Sequence, residues 1–176
     1  VSLATALQYS VNSVFCEIGK ALGAKAILAQ AERFGFYERP PLETPEGERL
    51  PSGLYRNGEL WRPSRNSDVD AGRMAFGQER MLVTPLQMAM VAAGVGNRGI
   101  VMKPYVVDRL VSPRGTTSAV TEPERLGRAL GPVNAHDLEE MMVQAVRSGT
   151  GTRAQIPGYR IGGKTGTAET GVPGRN

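Results

Sequence analysis

The sequence predicts a mixed fold of the α+β class, and three observations support this prediction. Apolar residues recur at helical spacing at the N-terminal end and again after residue 134. A strong helix-start signal lies at Thr84. An extended run covers residues 100–111, and a variable polar segment follows it to about Pro132. With 176 residues, of which 40% are hydrophobic, the chain is able to bury a core of ordinary size.

Helices are predicted from the N-terminal end to about residue 35, with a break at the tripeptide Ser10-Val11-Asn12. The apolar stripe of the first helix is Leu3, Ala6 and Leu7. The stripe of the second is Val14, Phe15, Ile18 and Leu22. This second helix ends at Gly23. Taken alone, the tripeptide is a helix break with a new N-cap, because Asn12 and Ser13 are both capping residues. Its place between two apolar helices also lets its side chains project into a cleft.

The middle of the chain, residues 40–70, is rich in Pro and Gly. Loops of this length are usually functional or disordered. The single Trp61 is expected to hold the stretch against the core rather than to stack on a ligand. Arg62, Arg65 and Arg73 fit either an anionic substrate or an ordinary charged surface, so no role is assigned to them.

A helix is predicted to begin after Thr84, where three residues form a start signal. Thr84 is the N-cap, Pro85 takes the first helical position, and Gln87 completes a capping box.

The last predicted helix begins at Asn134 and ends at Gly149. His136 and Asp137 are interpreted as capping and helix-dipole residues of its first turn. One face of this helix is apolar, and the methionines in it are core filler. The face consists of Leu138, Met141, Met142, Ala145 and Val146.

The run Gly-Lys-Thr-Gly-Thr-Ala-Glu at residues 163–169 matches two unrelated catalytic signatures. Together with the residues before it, it satisfies the phosphate-loop pattern of nucleotide-binding proteins over residues 158–165. A phosphate loop needs an apolar strand before the glycines and a helix that starts at the Lys-Thr. Residues 148–157 contain too many breakers for a strand, and the breakers Gly166, Gly171, Pro173 and Gly174 follow Lys164. Residues 159–167 are therefore predicted as an edge strand whose glycines allow close approach of a ligand.

The second signature is the Lys-Thr-Gly element of serine acyltransferases, which act with Ser-x-x-Lys and Ser-x-Asn elements. Here Ser10-Val11-Asn12 supplies a Ser-x-Asn. Four further segments resemble the transpeptidase domain of bacterial penicillin-binding proteins, most closely the monofunctional, class B type. They are Phe76-Gly77-Gln78, Thr84-Pro85-Leu86-Gln87-Met88-Ala89, Asn97-Arg98-Gly99 with Met102-Lys103-Pro104-Tyr105, and Ser148-Gly149-Thr150-Gly151-Thr152. The resemblance extends from Ser2 to Glu169.

The resemblance implies a penicillin-binding/β-lactamase-like fold, with an antiparallel sheet flanked by helices and an all-helical subdomain. It implies a peptidoglycan D,D-transpeptidase that forms a serine acyl-enzyme from D-alanyl-D-alanine stem peptides and binds β-lactams covalently. Expected partners are these stem peptides, β-lactam antibiotics and other cell-wall synthesis and division proteins. No cofactor and no metal are expected. The expected location is the extracytoplasmic face of the bacterial cell membrane, with an anchor outside these residues.

The same resemblance places six residues in the site, with Gly166 among those that bind substrate. Ser10 relays a proton to the leaving amine, and Asn12 hydrogen-bonds the acyl-side amide of the substrate. Lys164 keeps the site electropositive and lowers the cost of ionising nearby groups. The hydroxyls of Thr165 and Thr167, on either side of Gly166, bind the terminal carboxylate. The backbone N–H of Thr167 supplies half of the oxyanion hole.

One element of the family pattern is missing, because no Ser in the sequence has Lys three residues later. The nucleophile is therefore expected outside this sequence. Residues 1–176 are interpreted as an internal part of one transpeptidase domain that lacks the upstream Ser-x-x-Lys segment and the C-terminal strands and helix. On their own they are expected to be inactive.

Other functions remain open at this stage. A D,D-carboxypeptidase shares every motif, and a non-catalytic penicillin sensor keeps the acylation chemistry without turnover. A β-lactamase needs a carboxylate that positions water, and none is identified; Val11 also stands where well-known penicillinases carry Asp. A nucleic-acid partner is not expected, because the basic residues behind the net charge of +4 are scattered and aromatic residues make up only 6%.

Cysteine and histidine each occur once. Cys16 lies on the second helix and is predicted to be a buried structural thiol rather than a nucleophile. A zinc site built from Cys16 and His136 is not expected. No run of about 18 apolar residues is present in the sequence.

Overall fold

The computed structural model describes residues 1–167, in which helices alternate with short strands. The α-helices of this part are α1 (Leu3–Gln8), α2 (Asn12–Arg33), α3 (Ala71–Ala75), α4 (Pro85–Gly96) and α5 (Pro132–Ser148). Its strands are β1 (Gly53–Arg56), β2 (Glu59–Leu60), β3 (Met81–Leu82), β4 (Ile100–Met102), β5 (Arg109–Val111), β6 (Thr117–Val120) and β7 (Arg125–Arg128). Residues 168–176 lie outside the described part, among them Ala168 and Glu169 of the motif and the predicted breakers Gly171, Pro173 and Gly174.

The strands pair antiparallel in three small sheets, ordered β2-β1-β3, β4-β7 and β5-β6. The mixed α+β prediction is confirmed, but several strands were not predicted. β1 and β2 form a hairpin inside the Pro/Gly-rich stretch, closed by Asn57 and Gly58 with φ of 53° and 82°. Positive φ at both positions is typical of a type I′ turn, for which Asn-Gly is the preferred pair. β6 and β7 lie in the segment that was predicted as variable and polar.

The long helix α2 is two helices joined at Gly23, as the sequence predicts. Gly23 has a φ of 76° and a ψ of 159°, a conformation that glycine adopts without steric cost. The half before Gly23 packs closely on α3, because a Cβ on Gly19 would lie 2.3 Å from the carbonyl oxygen of Ala71. This packing fixes the N-terminal end of α2, and with it the Ser-Val-Asn tripeptide.

Two apolar clusters form the core. One joins α2, α3 and the first sheet, and the other joins the end of α2 with α4, β4 and α5. The first consists of Ala24, Leu28, Tyr37, Leu54, Val69 and Met74, and the second of Phe34, Met90, Val95, Val101 and Ala129. Trp61 packs against the first cluster, as predicted. Cys16 is only half-buried, beside Gly72, so the prediction of a buried thiol is wrong in degree.

The predicted start of α4 is correct, but its capping box is only half formed. The Thr84 hydroxyl accepts from the Gln87 N–H at 3.1 Å, as expected. The fully buried Gln87 side chain does not return to Thr84; its Nε2 donates to the Phe34 carbonyl at 2.7 Å, where α2 ends. The Thr84 N–H is satisfied instead by Ser52 Oγ at 3.0 Å. Gln87 therefore ties α4 to the end of α2.

Helix α5 begins at Pro132, with Gly131 as its N-cap, and not at Asn134. Proline is favoured at the first helical position because it has no N–H to leave unpaired. His136 and Asp137 consequently lie beyond the first turn, and the interpretation of them as capping residues is wrong. The predicted end at Gly149 is confirmed, as is the apolar face, of which Ala145 and Val146 are buried.

Candidate active site

The Ser-Val-Asn tripeptide lies at the junction of α1 and α2. We call α1, this junction and the first residue of α2 (residues 3–12) the Ser10 half of the site. Ser10 has a φ of 54°, in the left-handed region, and its N–H donates to the Leu7 carbonyl at 3.2 Å. Val11 is the N-cap of α2 and makes no side-chain cap bond, so the interpretation of Asn12 as an N-cap is wrong. The side chains of the junction are thus not needed to end one helix and start the next.

Lys164 meets this junction from the other end of the sequence. Its Nζ donates to Ser10 Oγ at 2.7 Å and to the Thr165 carbonyl oxygen at 3.0 Å. The side chain is exposed along much of its length, yet partial burial lowers the pKa of Lys164 from its ordinary value of 10.5. The Lys164 ammonium, which gives up its proton more readily than that of an ordinary lysine, therefore donates a hydrogen bond directly to the Ser10 hydroxyl. This pair is able to pass a proton to a third group.

Residues 159–167 form the Lys164 half of the site. They were predicted as an edge strand, and this is wrong for the described residues, where the segment has no ladder partner and no regular structure. Among residues 1–167, its backbone bond to another element is that of the Gly163 N–H to the Met142 carbonyl, at 3.1 Å. A strand needs a second strand whose backbone groups pair with its own, whereas α5 offers this segment a single carbonyl oxygen.

Two side chains from elsewhere bond to residues 165–167 of the Lys164 half. Thr150 Oγ1 lies 2.9 Å from Thr165 Oγ1, and Gln78 Nε2 donates to the Thr167 carbonyl at 3.4 Å. Sequence reasoning assigned no role to either residue, although both belong to segments that carried the family resemblance. Thr165, Gly166 and Thr167 are all exposed, as groups that receive a ligand must be.

The phosphate-loop alternative is not supported by the described residues. No helix begins at Lys164 over residues 164–167, and residues 148–157 contain the end of α5 and a 3₁₀ turn (Thr152–Ala154) in place of a strand. The backbone geometry that would hold a phosphate is therefore missing.

The structure thus joins Ser10 to Lys164, which is followed in the chain by Thr165 and Thr167, and leaves Asn12 exposed two residues from Ser10. A groove of about 720 Å³ lies between α5 and residues 155–161, but none of the predicted site residues lines it. Within residues 1–167 there is no cluster of three metal-binding side chains. The same residues contain no helix with the length and apolar character needed to cross a membrane.

Comparison with known proteins shows which family this chain is similar to. The family model of the penicillin binding protein transpeptidase domain matches residues 1–176. The peptidoglycan D,D-transpeptidase PbpA of Mycolicibacterium smegmatis is 37% identical over 100% of this chain and 34% of its own length. The chain therefore spans about a third of that relative.

Solved structures give the same result. The D,D-transpeptidase domain of a peptidoglycan glycosyltransferase from Eggerthella lenta is similar with a TM-score of 0.80 and 31% identity, over 96% of this chain and 42% of the other. The imipenem acyl-enzyme complex of penicillin-binding protein A from Mycobacterium tuberculosis is similar with a TM-score of 0.78 and 32% identity, over 96% of this chain and 36% of the other.

Proposed function

The chain belongs to the penicillin-binding protein transpeptidase domain family, and from this we propose that the protein containing it is a serine-type peptidoglycan D,D-transpeptidase. Such an enzyme takes the acyl group of a D-alanyl-D-alanine stem peptide onto a serine and passes it to an amine of a second stem peptide. The observation that carries the proposal is the 2.7 Å contact between Lys164 Nζ and Ser10 Oγ, two residues 154 positions apart. It supplies the proton path that acyl transfer to and from an amine requires.

In the proposed reaction, a serine outside residues 1–176 gives its proton to a base that also lies outside these residues and attacks the carbonyl carbon of the penultimate D-alanine. A tetrahedral intermediate forms, and its collapse breaks the bond to the terminal D-alanine nitrogen. That nitrogen takes a proton from the Ser10 hydroxyl, which Lys164 replenishes, so the leaving group departs as a neutral amine. In the second half, the acceptor amine attacks the acyl carbonyl carbon and gives a proton back to Ser10 and Lys164. The ester bond to the serine breaks, and the serine oxygen regains its proton from the same outside base.

The Lys164 half binds the substrate in this proposal. The hydroxyls of Thr165 and Thr167, separated by Gly166, donate to the terminal carboxylate, and the nearby Lys164 cation favours that anion. The Thr167 N–H stabilises the oxyanion of the tetrahedral intermediate. From the Ser10 half, Asn12 hydrogen-bonds the acyl-side amide. All five of these residues are exposed and so open to a ligand, which supports this role.

The proposal extends to the cellular setting. Stem peptides and β-lactams are the proposed ligands, and other cell-wall synthesis and division proteins are proposed partners. The enzyme is proposed to act on the extracytoplasmic face of the bacterial membrane, held there by a segment outside residues 1–176.

Intact-mass spectrometry tests the proposed function. The polypeptide extended upstream to include a Ser-x-x-Lys is incubated with benzylpenicillin, and a stable gain of one antibiotic mass is expected. No adduct, with the antibiotic intact, would overturn the acyltransferase assignment. No adduct, with the antibiotic rapidly hydrolysed, would indicate a β-lactamase. Cross-linked product from paired stem peptides is the expected result that separates a transpeptidase from a carboxypeptidase.

The role of Lys164 is tested by Lys164→Ala in the same polypeptide. The acylation rate is expected to fall at least about tenfold, because the positive charge beside the reacting groups is lost. The melting temperature is expected to stay the same, since Lys164 is exposed and packs in neither core cluster. An unchanged rate at unchanged stability would refute the role.

A further inference from the structure

The turn Ser148-Gly149-Thr150 touches both halves of the candidate site. On the Ser10 half, the Thr150 N–H donates to the Gln8 carbonyl at 3.1 Å, and Gln8 Nε2 donates to Ser148 Oγ at 2.9 Å. On the Lys164 half, Thr150 Oγ1 lies 2.9 Å from Thr165 Oγ1. Because Gln8 stands two residues before Ser10, a single turn connects the proton-transfer pair to the carboxylate-binding hydroxyl.

We propose that Thr150 is a positioning residue that orients the hydroxyl of Thr165 toward the substrate carboxylate. The inference rests on the proposed function, in which Thr165 binds that carboxylate. Thr150 acts through Thr165 and does not contact the substrate itself.

The proton count of the two hydroxyls determines the direction of their bond. A threonine hydroxyl has one proton to donate and two lone pairs that accept. When Thr165 gives its proton to a carboxylate, Thr150 must be the donor between the two threonines. The resulting chain, Thr150 to Thr165 to carboxylate, polarises the Thr165 hydroxyl and strengthens its bond to the anion. Without Thr150, the Thr165 hydroxyl is held by no other described side chain.

The backbone around Thr150 is held firmly enough for this task. Its N–H is bound to Gln8, and Gly149 lies so close to the same residue that a Cβ there would stand 2.2 Å from the Gln8 carbonyl oxygen. Gln8 Nε2 secures the preceding Ser148 as well. The position of Thr150 Oγ1 is therefore set by the Ser10 half, and Thr165 takes its orientation from there.

The test compares benzylpenicillin, which carries a free carboxylate, with its methyl ester, which does not. The polypeptide extended to include a Ser-x-x-Lys is prepared as wild type and as Thr150→Val, which replaces the hydroxyl by a methyl group of similar size. Acylation rate constants are measured by intact mass. With the acid, the variant is expected to react about tenfold more slowly, the usual scale for a lost bond in a charge-assisted chain. With the ester, the change is expected to be below about twofold, and Thr150→Ser is expected to restore the preference for the acid.

Two further variants keep this test decisive. Thr152→Val changes a hydroxyl in the same stretch that makes no hydrogen bond among the described residues, and it is expected to leave both rates unchanged. If Thr150→Val proves unstable, Thr150→Ala removes the same hydroxyl without adding a methyl group at that position.

The possible results distinguish failure of the inference from failure of the proposed function. A wild type that reacts with neither compound overturns the proposed function and the inference together. If the wild type and Thr150→Val both react faster with the acid than with the ester, and by the same factor, the inference alone is overturned. An equal loss for acid and ester also overturns it, because it would show a purely structural role.

Discussion

The two halves of the candidate site are built by different means. The Ser10 half consists of helix ends, with Ala6 fully buried and Leu7 nearly so, and α1 packs against α5. The Lys164 half has no regular structure, and most of its residues are exposed. Its described contacts with other elements are single bonds to Ser10, Gln78, Met142 and Thr150 and the ion pairs of Arg160 with α5. One half is thus positioned by packing and the other by a few hydrogen bonds, and the end of α5 is the frame that both share.

The largest effect is expected from breaking that shared frame with Gly149→Ala. A Cβ there would lie 2.2 Å from the Gln8 carbonyl oxygen and 2.9 Å from that of Ala145, so α1 must move away from α5. Forcing extra volume into such a contact costs about 1–3 kcal/mol of stability. A displacement of this kind in a catalytic site is expected to slow acylation by about a hundredfold. Thermal denaturation and the acylation rate are the two measurements.

The matched control is Gly127→Ala, where an added Cβ meets nothing within 4 Å. It is expected to change neither the melting temperature nor the rate. If Gly149→Ala behaved like this control, α1 and α5 would not form the common frame of the site.

The second prediction separates the chemistry of Ser10 from its backbone. At a φ of 54°, any residue with a Cβ is strained and glycine is not. Ser10→Gly is therefore expected to be at least as stable as the wild type and still to lose about tenfold in acylation rate, as a missing proton relay requires. Ser10→Ala is expected to show the same rate loss but a lower melting temperature than Ser10→Gly, because alanine keeps the Cβ. Normal acylation by Ser10→Gly would mean that the serine serves only the helix junction.

The sequence predicted the Ser10 half well because its signals are local. The break at Ser10-Val11-Asn12 and the kink at Gly23 depend on residues close together in the chain. The apolar stripes are confirmed only in part, because Leu3 and Leu22 are exposed. For the Lys164 half, the predicted strand is wrong, since a strand depends on a partner far away in sequence; the roles of its residues stay a prediction. The contact of Ser10 with Lys164 spans 154 positions, and only the family resemblance indicated it.

Other features went unpredicted for reasons that are equally physical. The Asn57-Gly58 hairpin has a sequence signal in its Asn-Gly pair, but the many Pro and Gly residues around it are equally typical of an irregular loop. Strands β6 and β7 have none, because every residue in them is exposed and no alternation of apolar and polar residues arises. The contacts of Gln8 and Thr150 follow from how helices meet, which no local pattern encodes.

The third prediction concerns the charge of Lys164 and its dependence on pH. Burial lowers the pKa of Lys164 below 10.5, so its charge is lost at a lower pH than that of an ordinary lysine. Acylation by benzylpenicillin is expected to slow by about threefold over the alkaline range, because part of the population loses the cation. Stability is expected to increase as pH rises. Between the folded and unfolded pKa values of Lys164 the unfolded state binds more protons, so raising the pH makes unfolding less favourable.

Lys164→Arg is the control for that profile, because a guanidinium stays charged throughout the range. Subtracting its pH profile from that of the wild type removes the titration of all other groups. A wild-type rate that falls no faster with pH than the variant's would show that the Lys164 charge does not assist acylation.

The smallest effect is expected at the outer edge of the Lys164 half, where Arg160 pairs with Glu139 and Glu140 of α5. These ion pairs raise the pKa of Arg160, but they lie at the surface with about half of the Arg160 side chain exposed, and water and salt screen such pairs. Arg160→Gln is expected to shift the melting temperature by no more than about 2 °C and the acylation rate by less than about twofold. Arg109→Gln, which removes an exposed pair with Asp108 away from the site, is the control. A rate loss above about tenfold that disappears in 1 M salt would contradict this prediction. It would mean that surface charge, and not the hydrogen bonds of Gly163 and Thr165, mainly holds the Lys164 half in place.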